Sequence, residues 1–240
     1  MSSVLTKGDV VDVYTRTAPG YDVWATLTES RARRRVAEVL DVHDGDSVLE
    51  VAVGTGLLFA ELLKRNPHGR NVGIDLTDAM LQQARRKAER THSGNWELQV
   101  GDAYALDFPD GRFDSIVNCY MFDLVPDADF ARVLREFYRV LKPGGRLVLA
   151  TLAPTRRPIY RLWEFLYRLN PRLVGGCRGV HISDAVRRAG FAINGREQVT
   201  QLTMVTEVLS ATKSPDGPVE TDDEEIRPHL AHMLYARLAG

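Results

Sequence analysis

The chemistry this chain offers sits on three carboxylates and two glycines. Ser47-Val48-Leu49-Glu50-Val51-Ala52-Val53-Gly54-Thr55-Gly56 reads as a buried strand running into a glycine turn. Leu57 to Lys64 reads as the helix that follows. Glycines at 54 and 56 carry no Cβ, so the backbone can bend sharply and a ligand can come close to it. The helix start adds unpaired N–H groups and the positive end of its dipole. Asp75 ends a second strand about twenty residues past Gly56, where an open α/β sheet places a ribose-binding acid. It can accept from both ribose hydroxyls, and charge-assisted bonds are worth roughly 1.5–3 kcal/mol each. Asp102 lies just past a third strand, Trp96 to Val100. It reads either as a carboxylate reaching a ligand or as the side chain of an Asx-turn.

Spacing separates the cofactors such a cradle could hold. A dinucleotide fingerprint needs a third glycine at position 59, and the residue there is Phe59. An NAD-dependent oxidoreductase is therefore disfavoured. The stretch instead resembles the E/D-x-G-x-G-x-G loop of class I S-adenosylmethionine (SAM) methyltransferases, with Ala52 in place of the first glycine. Alanine there is also a habit of the ubiquinone/menaquinone C-methyltransferase branch, and Val-Gly-Thr-Gly is similar to some bacterial phospholipid N-methyltransferases. Ala18-Pro19-Gly20-Tyr21-Asp22 resembles the A-x-x-Y-D leader of the quinone branch. Leu106 to Asp114 resembles its L-P-F-x-D-x-x-F-D passage in slightly altered order. Leu141-Lys142-Pro143-Gly144-Gly145-Arg146-Leu147 resembles L-K-P-G-G-x-L. Together these cover roughly residues 14 to 211, and their order is more specific than any one motif.

The resemblance implies an α/β fold: a Rossmann-like, seven-stranded, mostly parallel sheet with a reversed last strand and helices on both faces. It implies SAM as cofactor. Glu50 would orient the loop and the methionine ammonium, and Ala52, Gly54, Thr55 and Gly56 would line the methionine moiety. Asp75, with Leu76 beside it, would hold the ribose, and Asp102 and Ala103 the adenine. Asn118 and Cys119, ending the fourth strand, would offer polar atoms to the methionine end. The implied reaction is one in-line displacement in which the cofactor carries the reactivity. A base is needed only where the acceptor arrives protonated. Candidates are Asp123, His181 and Tyr21. Their plainer readings are a substrate contact, a helix start and half of a core aromatic pair with Tyr14. Cys119 is discounted as a nucleophile, because no His stands near it and methyl transfer needs no thiolate.

These residues need elements to position them. Residues 1–42 form an N-terminal helical cap, broken at Pro19-Gly20, with a helix over roughly 22–41. Ala32, Val36, Val39 and Leu40 are its buried stripe. Arg33, Arg34 and Arg35 face out, with Arg34 paired to Glu38. Residues 43–212 are the methyltransferase domain. Within it, 154–181 is an inserted lid with Ile159, Leu162, Trp163, Leu166 and Leu169 as an apolar stripe between arginines. The insertion reads as a cover over an apolar or anionic substrate, or as a basic amphipathic helix over 156–172 resting on a membrane surface. Residues 213–240 are a polar linker and a last helix bearing Leu230, Met233, Leu234 and Leu238.

Composition bounds the rest. A chain of 240 residues makes one sizeable α/β domain. Net charge of −1 does not favour nucleic acid. Cys119 and Cys177, far apart, point to reduced thiols in a cytoplasmic protein. No apolar run has the length of a membrane span, and no Cys/His cluster has metal-ligand spacing, so no metal is expected. The expectation is a monomer or homodimer that methylates a small apolar or aromatic molecule, such as a quinone, phenol or lipid-like compound. The alternative is a SAM-binding partner subunit that transfers nothing.

Overall fold

A computed structural model describes residues 4–91, 93–155, 158–202, 204–215 and 217. Seven strands alternate with helices. The strands are β1 (Ser47–Val51), β2 (Arg70–Asp75), β3 (Trp96–Val100), β4 (Phe113–Cys119), β5 (Leu141–Leu152), β6 (Phe191–Gln201) and β7 (Met204–Lys213). They form one sheet in the order β3-β2-β1-β4-β5-β7-β6. Pairings from β3 across to β5 are parallel, and β7 runs antiparallel to both β5 and β6. This is the Rossmann-like arrangement with a reversed last strand. β1 lies at the topological switch, between β2 and β4, where such sheets bind ligands.

Alternation along the strands explains the two-sided core. Successive side chains point to opposite faces. Leu49, Ile116, Leu147 and Leu149 join the cluster under α4 (Phe130–Val140) and α6 (Ser183–Arg188). Their neighbours Val48, Val117 and Val148 join the cluster under α1 (Lys7–Leu40) and α2 (Leu57–Arg65). α3 (Asp78–Glu89) buries Met80, Leu81, Ala84 and Ala88, as its periodicity predicts. Covering both faces is what lets a parallel sheet be apolar throughout.

Three local expectations fail for physical reasons. Pro19-Gly20 does not break the first helix: α1 runs unbroken over 34 residues. Pro19 lacks an N–H, a loss of about 3 kcal/mol in a helix interior. Packing outweighs it, because Ala18, Ala25, Thr28, Ala32, Val36 and Leu40 make one buried stripe spanning the proline. A capping box between Thr6 and Asp9 starts the helix. The Lys-Pro-Gly-Gly turn also lies inside β5 as a bulge, since Phe113 pairs with Leu141 but Ser115 pairs with Arg146. The predicted Arg34–Glu38 pair is replaced as well. Arg35 reaches both Glu38 (3.1 Å) and Glu197 of β6 (2.5 Å). The proposed last helix falls in 218–240, outside the described residues.

Candidate active site

The carboxyl edge of the sheet gathers most of the expected residues around one cavity. Ala52, Gly54, Asp75, Leu76, Asp102, Ala103 and Cys119 line it, as does Tyr21. Glu50, Thr55, Gly56, Asn118, Asp123 and His181 do not.

The two glycines of the loop do different work. Both have positive φ, 55° at Gly54 and 80° at Gly56. A Cβ on Gly54 would meet nothing, so its bare backbone faces open space beside the cavity. A Cβ on Gly56 would lie 2.7 Å from the Cα and Cβ of Ala84, so this glycine lets α3 pack close to the loop. Ala52 also has positive φ, 57°, a conformation that costs a residue with a Cβ about 1–2 kcal/mol. That strain sits where the resembled motif has glycine.

Asp75 organises this edge from within the protein. Its carboxylate accepts from the Gly54 N–H (2.8 Å) and the Thr77 N–H (2.9 Å). Burial raises its pKa, and those backbone donors oppose the rise. The Thr77 hydroxyl and the Leu76 N–H also bear on this carboxylate, which lines the cavity. Asp102 makes the Asx-turn of its plainer reading and also faces the cavity. It accepts from the Tyr104 N–H (3.0 Å) and pairs with Lys7 of α1.

Glu50 is 4% exposed, and its Oε2 has no hydrogen-bond partner. Burial drives its pKa well above the carboxylate range, against the pull of Arg33. A buried acid left short of a donor fits a cation arriving with a ligand. Asn118 is fully buried and donates to the Val51 carbonyl at 2.7 Å, tying β4 to β1, while its Oδ1 is left unpaired. Thr55 is held from outside the loop. Its hydroxyl donates to Asp22 (2.6 Å), its carbonyl accepts from Lys87 (2.9 Å), and Lys87 pairs with Asp22 (2.7 Å). Asp22 of the Tyr-Asp leader thus latches α1 to the glycine loop.

The base candidates separate on geometry. Asp123 is fully buried away from the cavity, accepting the Leu152 N–H on both oxygens at 3.1 Å. It is a fastener for the end of β5. His181 is exposed, two residues before α6, and lines neither cavity described here. Tyr21 lies between two cavities and packs against Tyr14, with centroids 6.0 Å apart. Burial raises the Cys119 thiol well above its ordinary pKa, which leaves it a poor nucleophile.

The second cavity, about 520 Å³, lies between α1 and the inserted segment. It shares Tyr14, Tyr21 and Tyr120 with the first cavity. Trp24 and Trp163 stack at its edge, 6.4 Å apart and 15° from parallel. Trp163 sits on α5 (Pro158–Leu169) and donates to the Cys177 carbonyl at 3.1 Å. The predicted apolar stripe of α5 is only partly turned inward. Leu162 and Leu169 are exposed along with Phe165, while Tyr167 is buried. The reason is that Trp163 and Tyr167, four residues apart, claim the inner face. The side chain of Ile159 lies outside the described residues. Two of the lid arginines are spoken for by acids of the protein: Arg172 by Asp9 and Arg178 by Asp127.

One acid in this second cavity escaped the motif reading. Glu29 of α1 lines it beside Tyr21, whose hydroxyl bears on its charge. The signal for it was present. Glu29 lies four residues past buried Ala25 and three before buried Ala32, an acid on an apolar stripe.

The chain is similar to known methyltransferases in sequence and in fold. Residues 48–145 match a family described as a methyltransferase domain. The chain is 36% identical over 179 residues to a demethylmenaquinone methyltransferase of Lactobacillus johnsonii, covering 71% of this chain and 72% of that protein. It is 37% identical over 169 residues to one from Thermus thermophilus, covering 68% and 76%. The fold superimposes on a magnesium protoporphyrin IX methyltransferase of Synechocystis with bound SAH, the demethylated cofactor. The TM-score is 0.68 at 18% identity, covering 87% of this chain and 99% of that one.

Proposed function

The chain belongs to the class I SAM-dependent methyltransferases, and from that premise we propose that it methylates the ring of a hydroquinone-type acceptor. The observation that carries this is the aromatic-walled cavity sharing three tyrosines with the cofactor edge. The quinone methyltransferase relatives support the same choice of acceptor.

The residues present fit SAM. Glu50 offers its unpaired oxygen to the methionine ammonium. The bare backbone at Gly54 lets that moiety approach. Asp75 takes the ribose hydroxyls, and Asp102 with Ala103 takes the adenine edge. When bound, SAM supplies an electrophilic methyl carbon on a sulfonium. The protein's share is to position the acceptor and keep water away. A quinone ring is electron-poor and does not attack such a carbon. The reduced, hydroxyl-bearing ring does, so the hydroquinone is the acceptor.

The test uses methyl-labelled SAM with 1,4-naphthohydroquinone kept reduced by dithiothreitol, and with phospholipid vesicles in parallel. Label is expected in the naphthalene product, with S-adenosylhomocysteine formed in equal amount. SAM bound without any transfer would instead mark a partner subunit. Label in the lipid alone would move the acceptor to a phospholipid.

A further inference from the structure

We propose that Glu29 is the proton acceptor of the reaction, and that the cavity it lines between α1 and α5 seats a hydroxylated aromatic ring against it. The inference rests on the methyltransferase reading above and deepens it.

The geometry has four parts. Glu29 lines the second cavity and does not line the first. Tyr21 lines both cavities and shares the second with Glu29, so it stands at the junction beside the acid. The walls around the acid are Tyr14, Trp24, Tyr120, Leu152 and Trp163, a lining suited to a flat apolar ring with one polar handle. The backbone carrying Glu29 is also held from outside the helix. The Gln201 side chain of β6 donates to the Leu27 carbonyl (2.6 Å) and accepts from the Arg31 N–H (2.6 Å). In an uninterrupted helix those two groups would join directly. The Gln201 amide also reaches the Thr26 carbonyl (3.1 Å) and the Ser30 hydroxyl (2.9 Å). The turn presenting Glu29 is thereby fixed by a strand.

The charge environment suits the role. Burial raises the Glu29 pKa to about 7, opposed by Arg33 and by the neighbouring Tyr21 hydroxyl. Tyr14 and Tyr21 on its own helix are pushed up by burial and stay neutral donors. Cys119, Tyr120 and Asp123 from β4 and beyond, and Cys177 of the lid, are pushed up likewise. Arg33 is the cation that opposes this rise, and Arg16 lines the same cavity. A base with a pKa near the working pH is the efficient kind.

The step balances. The Glu29 carboxylate takes the proton of the ring hydroxyl. The freed electron pair is delivered through the adjacent ring carbon to the methyl carbon, forming a C–C bond. The S–CH3 bond breaks with its electrons remaining on sulfur. Loss of the ring proton from the methylated carbon and return of a proton to the oxygen restore the aromatic hydroxyl. One proton is released per methyl transferred.

The test compares wild type, Glu29→Gln and Glu29→Asp. Calorimetry reads SAM affinity, the labelled-methyl assay with 1,4-naphthohydroquinone reads turnover, and tryptophan quenching reads binding of 1-naphthol. Glu29→Gln is expected to lower kcat by about 10²–10⁴-fold with SAM affinity kept, and Glu29→Asp to regain part of it. Wild-type kcat/KM should rise with pH through about 7 and level off, and Glu29→Gln should lose that rise. Wild-type-like turnover and pH profile in Glu29→Gln would overturn the inference while leaving the methyltransferase reading intact. If naphthol binds but no methyl moves, the hydroquinone reading falls. The site is then judged on binding alone, which must tighten through about pH 7 in wild type and not in Glu29→Gln. No quenching by naphthol in wild type would refute the site.

Discussion

The cofactor edge and the acceptor roof are built by opposite means. The edge is made by strand ends and the turns that leave them: Glu50, Gly54, Asp75 and Asp102 each follow from one short stretch of chain. Their anchors are backbone groups, such as the Gly54 and Thr77 N–H groups on Asp75. The roof is assembled from segments far apart in sequence. Trp24 and Glu29 come from α1, Tyr120 from the end of β4, Trp163 and Cys177 from the inserted segment, and Met204 from β7. Its anchors are side chains, as where Tyr14 meets the Cys177 sulfur at 3.5 Å. A fixed cofactor grip under a side-chain roof lets one scaffold take different acceptors.

Substitutions can break or sharpen this contrast. The largest effect is expected from Asp75→Ala, which removes the proposed ribose acceptor and the anchor of two loop N–H groups. SAM affinity should fall at least tenfold by calorimetry, and unchanged affinity would remove the assignment. Glu50→Gln should weaken SAM severalfold and stabilise the free protein. The folded-state pKa of Glu50 is raised above its ordinary 4.5. Stability is therefore lost as pH climbs from there toward the folded-state value, and a neutral amide escapes that loss. The melting temperature of the SAM-free variant should exceed wild type by a few degrees at pH 8, and the gap should close near the acid end. Trp163→Ala should raise the acceptor KM severalfold and leave SAM affinity alone, because it opens only the roof. The smallest change is expected from Lys7→Ala. Its ion pair with Asp102 is exposed, so SAM affinity should shift less than about threefold. A large loss there would mean that the roof reaches further over the adenine than the contrast allows.

The same contrast decides what could be read from sequence. Strand alternation, the glycine spacing and Asp75 are local patterns from which the strands and turns of the cofactor edge could be read, while the mostly parallel sheet with its reversed last strand came from the family resemblance. Gly56 was legible as a glycine turn, but its partner Ala84 was not, because only folding brings α3 there. The role of Asp22 needed the structure for the same reason, since its partners are Thr55 and Lys87. Pro19 misled because a local rule met a long buried stripe and lost. Glu29 could have been found, as a charge on an apolar helix face, but no motif pointed to it.

The long first helix bears one more implication. Its 34 residues span about 51 Å. Lys7 near one end meets the adenine-side acid, Asp22 grips the glycine loop, and Glu29 faces the other chamber. Pro19, lacking one rung of the ladder, falls between the first of these contacts and the other two. A nucleoside settling at one end would therefore bear on the same continuous helix whose far half lines the receiving room. Donor arrival and acceptor entry share a mechanical part, and this favours an order in which the donor comes first.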